Sequence, residues 1–337
     1  MILFFLGFTF INFLSLVFNA FLFYVIYKQP DKTRQPTIYI YNVIIANSLD
    51  SITIFFTFLF PSLFEDNFYS DYRRILGSTL TLICTFSYEH TFYLTMIMVI
   101  HRIHVVKEPV TKFYTNMKIW LFCGGFAVLS FIFLVIPYFS SCPVNINQRT
   151  FNFAVDCDKR HPITQLQNDW LILIPVFTFI LNIALILYLA QKRGEALRRR
   201  RLNGKMKTSG LTGTQTFSVV SISSTSNVHQ LPPLVTRSKT RLSYEHSLLL
   251  QSMFTTSFIL IYELTGLLMR IFRKDYETVA IEVQRFIFYF RLSICSLLCF
   301  LVYFVGTPSI RKLVIDKLKE IARGKTGHRS PTTTVLV

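Results

Sequence analysis

The sequence predicts an all-α membrane protein: a bundle of seven transmembrane helices with its N-terminus outside, its C-terminus inside and a short amphipathic eighth helix. Three observations predict this fold. Of the 337 residues, 52% are hydrophobic and 16% are charged, whereas soluble domains carry about a quarter charged residues. The apolar residues fall in long runs. The chain has 35 Lys and Arg but only 18 Asp and Glu, and this excess of basic residues lies in every second segment that connects the apolar runs.

The net charge of +17 would suggest nucleic-acid binding in a soluble chain. Such a protein needs a basic surface around a core of ordinary apolar content, and a mean hydropathy of +0.44 leaves little room for that surface. We therefore expect no nucleic-acid partner. The six Cys show no metal-ligand spacing, so we expect no metal and no cofactor. Membrane-protease signatures are missing as well, and we expect no enzymatic activity.

Seven apolar runs are long enough to cross a bilayer, because a hydrocarbon core of about 30 Å needs about 20 residues of helix. Proline-containing polar segments separate several of these runs. The predicted transmembrane helices are 2–27, 37–60, 75–100, 119–139, 170–190, 247–269 and 286–307. Together they form one domain, residues 1–307.

Lys and Arg set the orientation, because basic loops tend to stay on the cytoplasmic side. The loops after the first, third and fifth runs, with the tail after Gly306, hold 25 Lys and Arg, and the opposite loops hold nine. The N-terminus is therefore predicted outside. A cleaved signal peptide fits the first run less well, because nothing basic precedes it and its apolar stretch is far longer than a signal peptide needs.

Composition also predicts the cytoplasmic segments. Residues 308–323 place apolar side chains on one helical face with Lys and Arg between them, which predicts an amphipathic helix on an anionic membrane surface. Loop 191–246 starts with a basic extension of the fifth helix and then holds 15 Ser or Thr among the 36 residues from Thr208 to Ser243. We expect this loop and the tail 324–337 to be disordered, the loop serving as a phosphorylated segment or a solvated linker.

A His-Arg pair, His101 and Arg102, closes the third run. An arginine at a helix end can simply reach the lipid headgroups. Here Glu108-Pro109 follows in a short loop, and the arrangement resembles the Arg-centred third-helix motif of rhodopsin-like G-protein-coupled receptors. The resemblance implies that Arg102 is held inactive by acidic neighbours and contacts the G protein on activation. His101 stands where that family has an acid, which leaves Glu245 as the candidate partner of Arg102.

Other positions agree with the same resemblance. Asn19 lies in the middle of the first run, and Asn47 or Asp50 stands in the place of the buried acid of the second helix. The resemblance implies that these three residues form a buried polar switch. Pro175 matches the fifth-helix proline. The sixth-helix Cys-Trp-x-Pro and the seventh-helix Asn-Pro-x-x-Tyr are absent, with Thr307-Pro308 as a remnant of the latter.

The whole pattern is most similar to the nematode serpentine chemoreceptors, which are divergent rhodopsin-type receptors with a short N-terminus, abundant Phe and a His-Arg pair in place of Asp-Arg-Tyr. The segment His-Arg-Ile-His-Val-Val-Lys-Glu-Pro and the outer loop from Cys142 to Asp169 resemble class xa most, and class x second. The resemblance implies a plasma-membrane receptor, with the cilia of sensory neurons as a candidate location, that binds an external small molecule and activates a heterotrimeric G protein. Arg198 and Arg199 are further candidates for the G-protein contact.

Cys142 and Cys157 are the two Cys in the predicted outer loops. Because that compartment is oxidising, we expect a disulfide between them. The rhodopsin-like receptors instead tie this loop to a Cys at the outer end of helix 3. Residues 73–80 contain none, so Cys84, about two turns inside the membrane, is the alternative partner.

Charges inside the membrane indicate the ligand pocket, because each is costly unless paired or wetted. Glu263 and Arg291 both lie about 10 Å below the outer face at the rise of an α-helix, so we predict that they pair and form the pocket floor. Arg291 could otherwise reach outward to the headgroups. Glu89 lies deeper in helix 3, and Tyr93 and Tyr262 are aromatic candidates for the lining.

Several alternatives stay open. A neuropeptide receptor of the same fold would favour an acidic outer surface, whereas the outer loops carry nine basic and nine acidic residues. A ligand-gated channel of the insect olfactory type would place its N-terminus inside. A transporter would be expected to show internal repeats, and none is visible. A light sensor would need a Lys in the seventh helix, which holds Arg291 instead.

Overall fold

A computed structural model describes residues 2–28, 37–107, 115–140, 144–147, 152–155, 161–208 and 234–323. Helices make up nearly all of this part of the chain. They are α1 (Ile2–Tyr27), α2 (Thr37–Ile54), α3 (Asp66–Tyr72), α4 (Ser78–Lys107), α5 (Asn116–Tyr138), α6 (Pro162–Trp170), α7 (Leu173–Thr208), α8 (Leu234–Ile271), α9 (Arg273–Thr278), α10 (Ile281–Ser296) and α11 (Pro308–Ala322). One antiparallel hairpin, β1 (Val144–Asn147) and β2 (Asn152–Val155), follows α5.

Among the residues that the structure describes, five helical segments are long and apolar enough to cross a bilayer. They are Phe5–Tyr27, Thr37–Leu63, Asn116–Tyr138, Leu173–Lys192 and Gln251–Ile271. Large apolar side chains on these segments face outward, as Phe10 and Leu121 do with 66% and 64% of their surface exposed. A helix that is apolar all round needs an apolar environment. Two further predicted spans, α4 and α10, carry the polar residues Glu89 and Arg291 in their interiors.

The helices run past the predicted spans on both sides of loop 191–246. Helix α7 continues to Thr208, in the direction of the predicted basic extension of the fifth helix, and α8 begins at Leu234, so helix replaces the disorder that composition predicts at the second end of this loop. These ends are rich in Arg, Lys and Leu, which are good helix formers, and each continues a helix of the bundle. The middle of the loop, 209–233, and the tail 324–337 lie outside the described residues.

Three π-helical turns interrupt the bundle, at Phe55–Leu59, Arg73–Gly77 and Phe300–Val305. The first leads into a 3-10 turn at Phe60–Leu63 that contains Pro61. A π turn is wider than an α-helical turn, because its hydrogen bonds join residues five apart instead of four, and it rotates the residues that follow relative to those before. These turns therefore help to decide which side chains face the bundle.

The largest apolar core lies at the end of the bundle where α4 reaches His101. It is built from α1, α2, α4 and the π turn Phe300–Val305. Helix α11 packs into the same core through Ile310 and Val314, whereas Lys312 and Lys319 on its other face are exposed. The chain after the seventh predicted span thus folds back against the bundle.

Candidate functional site

A buried polar seam joins α1, α2 and α10, and it contains the predicted switch residues. The Asn19 side chain donates a hydrogen bond to Asn47 Oδ1 at 3.1 Å, and Asn47 donates to the carbonyl oxygen of Cys295 at 2.8 Å. Asp50 lies one turn along α2 and accepts a hydrogen bond from the Cys84 thiol at 3.5 Å. The structure therefore brings Asn19, Asn47 and Asp50 into one layer of the bundle.

The same seam contains three more polar residues, Asn12, Ser15 and Ser296, which were not predicted from the sequence. Asn12 donates to the carbonyl oxygen of Ser51 at 2.9 Å, and the Ser296 hydroxyl donates to Asn12 Oδ1 at 3.1 Å. Ser15 donates to the carbonyl oxygen of Ser296. Asn12, Ser15 and Asn19 are separated by three and four residues, a spacing that puts them on one face of a helix. That spacing was the signal available in the sequence.

A small cavity lies beside the seam, between α2, α4, α8 and α10. It leaves about 20 Å³ for a water molecule, which is room for roughly one. Its lining includes both polar groups and rings: Asn47, Asp50, Tyr88, Phe92, Tyr262 and Leu298. The polar groups give a water molecule hydrogen-bonding partners there.

The charges on α8 and α10 do not form the direct ion pair that the sequence predicts. Glu263 accepts a hydrogen bond from the Tyr88 hydroxyl at 2.5 Å. Arg291 instead lays its guanidinium over the Tyr262 ring, 4.4 Å from the ring centre, and remains close enough to Glu263 for electrostatic attraction. Equal depth in the membrane means that the two residues lie at the same height along the bundle axis. It does not determine whether their side chains point toward each other.

Tyrosine 88, rather than Tyr93, holds the central position on α4. The Tyr88 ring lies 4.8 Å from Tyr262 and 4.5 Å from Phe92. Tyr93 stacks on Phe126 of α5, with 6.2 Å between ring centres, so the structure places it away from the cavity. Glu89, 3% exposed, is buried on the neighbouring face and does not line the cavity either.

The predicted coupling residues lie at the opposite end of α4. Arg102 is buried, with 9% of its surface exposed, and the Nδ1 atom of His101 lies 3.2 Å from the Tyr39 hydroxyl of α2. Tyr303, in the π turn after α10, is close enough to Arg102 to interact with its charge. Arg198 is exposed on α7. The side chains of two further candidates, Arg199 in α7 and Glu245 in α8, lie outside what the structure describes.

The β1–β2 hairpin docks on the end of α4 that begins at Ser78, and Cys84, the described Cys on that helix, is a free thiol. Val144 is buried against Leu82, Leu134 and Tyr138. The Asn145 side chain donates to the carbonyl oxygen of Arg73 at 3.1 Å, within the π turn that precedes α4. Cys142 and Cys157, and with them the predicted disulfide, lie outside the described residues.

Gly77 provides the space for this contact, which leads to a prediction about stability. A Cβ atom at this position would lie 2.3 Å from Asn145 Oδ1. We expect Gly77→Ala to displace the hairpin and to destabilise the protein by about 1–3 kcal/mol, as overpacking does elsewhere. Thermal unfolding of the purified protein measures the effect. Gly124→Ala is the matched control, because nothing lies within 4 Å of its Cβ position; equal melting temperatures for the two variants would count against the contact.

Comparisons with known proteins agree with this geometry. Residues 34–183 match the family model described as Caenorhabditis serpentine receptor-like protein, class xa. The chain is 30% identical over 336 residues to Serpentine receptor class XA 10 of Caenorhabditis elegans, covering 94% of this chain and 93% of that protein. The crystal structure of squid rhodopsin matches with a TM-score of 0.65 at 12% identity, over 96% of this chain and 86% of that one. At this identity the rhodopsin match shows a common fold alone.

Proposed function

The chain belongs to the Caenorhabditis serpentine receptor-like family of class xa, and on that premise we propose that it is a G-protein-coupled chemosensory receptor. It binds an external small molecule within the helix bundle and activates a heterotrimeric G protein. The resemblance to class xa drawn from the sequence is confirmed, and membership in a receptor family makes the chain a multi-pass membrane protein. We propose that it resides in the plasma membrane of sensory cells, in their cilia.

The proposed topology has seven transmembrane helices and an outer N-terminus. The spans are α1, α2, α4, α5, α7, α8, and α10 with the π turn that follows it. Helix α11 is the proposed eighth helix, with its Lys side chains against the inner leaflet. The rhodopsin-like fold and the basic loops on one side support this arrangement.

One observation carries the proposed mechanism: the hydrogen bond from Tyr88 to Glu263 joins α4 to α8 beside the cavity. Helix α4 also carries Arg102 at its cytoplasmic end. A ligand that binds next to Tyr262 competes for these side chains and changes the position of α8 relative to α4. Because the two helices are rigid, that shift is transmitted to the cytoplasmic end, where it makes Arg102 accessible to the G protein.

The position of the Tyr88–Glu263 hydrogen bond between helices of the bundle favours a small molecule over a neuropeptide. A peptide would have to bind on the outer loops, whose charges balance. The fold similarity to rhodopsin also favours a receptor over a channel or a transporter.

Removal of the Tyr88 hydroxyl tests the mechanism. Tyr88→Phe keeps the ring and loses the bond to Glu263, so it should raise ligand-free activity. An interhelical hydrogen bond in a membrane is worth about 1 kcal/mol, which corresponds to roughly a five-fold shift between inactive and active states. The measurement is basal nucleotide exchange on the G protein by purified receptor.

Tyr93→Phe provides the control for this experiment. Its ring packs on Phe126, away from the cavity, and we expect its basal exchange to equal that of the unmodified receptor. If Tyr88→Phe also leaves basal exchange unchanged, the bond to Glu263 does not hold the inactive state.

A further inference from the structure

Arg291 is a cation without a carboxylate partner among the described residues. Its Nε atom is buried and donates no hydrogen bond. The nearest acid on α8, Glu263, accepts its bond from Tyr88 instead. A charged group in the apolar interior of a membrane bundle is costly unless an opposite charge or water satisfies it. Glu263 is near enough to attract this charge, but no described carboxylate contacts the guanidinium directly. The outer part of α10 therefore presents a cation with a buried, unpartnered N–H donor to the inside of the bundle.

The guanidinium of Arg291 is held in place by its surroundings on α8. One face lies on the Tyr262 ring, 4.4 Å from the ring centre. The Nη2 atom of Arg291 occupies space that is free only because residue 266 is Gly. A Cβ atom at Gly266 would lie 2.7 Å from Nη2. Stacking uses the face of a guanidinium and leaves the N–H groups, which point outward in its plane, available as donors.

We propose that Arg291 binds the anionic group of the ligand, and that the ligand class is small monocarboxylic acids with an apolar body. This inference rests on the receptor function proposed above and names the chemistry of its ligand. A carboxylate matches the planar fork of the guanidinium with two parallel hydrogen bonds. A single negative charge is also cheaper to bring into an apolar site than the double charge of a phosphate. The ring of Tyr262 provides an apolar contact beside the charge.

The test uses the full chain in phosphatidylcholine nanodiscs and three probes of similar shape: benzoate, benzamide and benzylamine. Acetate is added as the smallest carboxylate. We expect carboxylates to raise the melting temperature, benzamide to raise it less, and benzylamine to leave it unchanged. Arg291→Gln should weaken carboxylate binding by roughly ten-fold or more, because hydrogen bonds to a charged group are strong.

Two further variants keep the result interpretable. Arg285→Gln is the matched control, because this Arg lies on the same helix and already contacts Glu282 at 3.4 Å; its carboxylate response should be normal. Gly266→Ala displaces the guanidinium but keeps the charge, so it should reduce the response even if Arg291→Gln folds poorly.

The proposal is overturned if no carboxylate stabilises the receptor, if benzamide acts as strongly as benzoate, or if the benzoate response survives in both Arg291→Gln and Gly266→Ala. Nanodiscs that contain the anionic lipid phosphatidylglycerol test whether Arg291 binds a free carboxylic acid or a lipid headgroup. An Arg291-dependent stabilisation by this lipid, with loss of the benzoate response, would assign the site to lipid and contradict the proposal. Arg102→Ala should retain the benzoate response, so failure of G-protein coupling is seen separately.

Discussion

Replacement of Arg102 by alanine is expected to reduce activation of the G protein strongly while the receptor stays folded, ligand-binding and present at the cell surface. Arg102 lies near the C-terminal end of α4, which is the cytoplasmic end in the proposed topology, and it is buried close to Tyr303 of the π turn after α10. In the proposed active state its guanidinium bonds to the G protein. Hydrogen bonds to charged groups are worth about 1.5–3 kcal/mol, so their loss lowers the rate of productive coupling by roughly 10- to 150-fold.

Nucleotide exchange on the G protein measures this effect, with surface labelling of intact cells to report folding. Lys107→Ala is the matched control, since Lys107 is an exposed basic residue near the end of the same helix. It should keep nearly full activity. An Arg102→Ala receptor with normal potency and normal maximal exchange would remove Arg102 from the coupling mechanism.

The second large effect is expected from Asn47→Leu, which removes the centre of the polar seam. Asn47 accepts from Asn19 and donates to the carbonyl oxygen of Cys295, so it connects α1, α2 and α10. The substitution leaves the Asn19 amide and the Cys295 carbonyl without these partners inside an apolar bundle. Buried polar groups left unpaired cost about 1–3 kcal/mol each. We expect a lower melting temperature and reduced surface expression.

Asn42→Leu is the appropriate comparison, because the same chemical change is made on the same helix. The Asn42 side chain donates only to the carbonyl oxygen of Ile38 within α2, so its loss should cost less. A double substitution of Asn19 and Asn47 should destabilise less than the sum of the two single changes, as expected for residues in one network. Fully additive effects would show that the two amides are independent.

The positions of the helices along the chain could be predicted from the sequence, because a membrane span needs a long apolar run. Helix α1 occupies the residues expected for the first run, and α5 begins and ends within three residues of the predicted span. The hairpin β1–β2 was not predicted. Its strands are four residues each and lie in a polar loop, where no long pattern distinguishes a strand from an irregular segment.

The direction in which each helix points its side chains could not be predicted from the sequence. This explains why the predicted contacts at the site differ from the observed ones. Helices that are apolar on all sides carry little periodic signal to show which face is inward. Tyr88 and Tyr93 were therefore equal aromatic candidates for the pocket from the sequence, whereas in the structure Tyr88 contacts Glu263 and Tyr93 packs on Phe126. The sequence interpretation also paired Glu263 with Arg291 from their depth alone. Asn19 and Asn47 could be assigned to the bundle interior from the sequence because they resemble a receptor motif whose side chains point inward. The hydrophobic periodicity alone does not show this direction.

Guanine-nucleotide exchange on purified heterotrimers by the full chain in nanodiscs tests the proposed activation of a G protein. We expect the receptor to accelerate exchange above that of empty nanodiscs for at least one class of Gα subunit. A further increase is expected with a bound carboxylate of the kind that stabilises the protein. Exchange equal to that of empty nanodiscs for every Gα class, in the presence of a carboxylate that binds, would show that the receptor does not couple to a G protein.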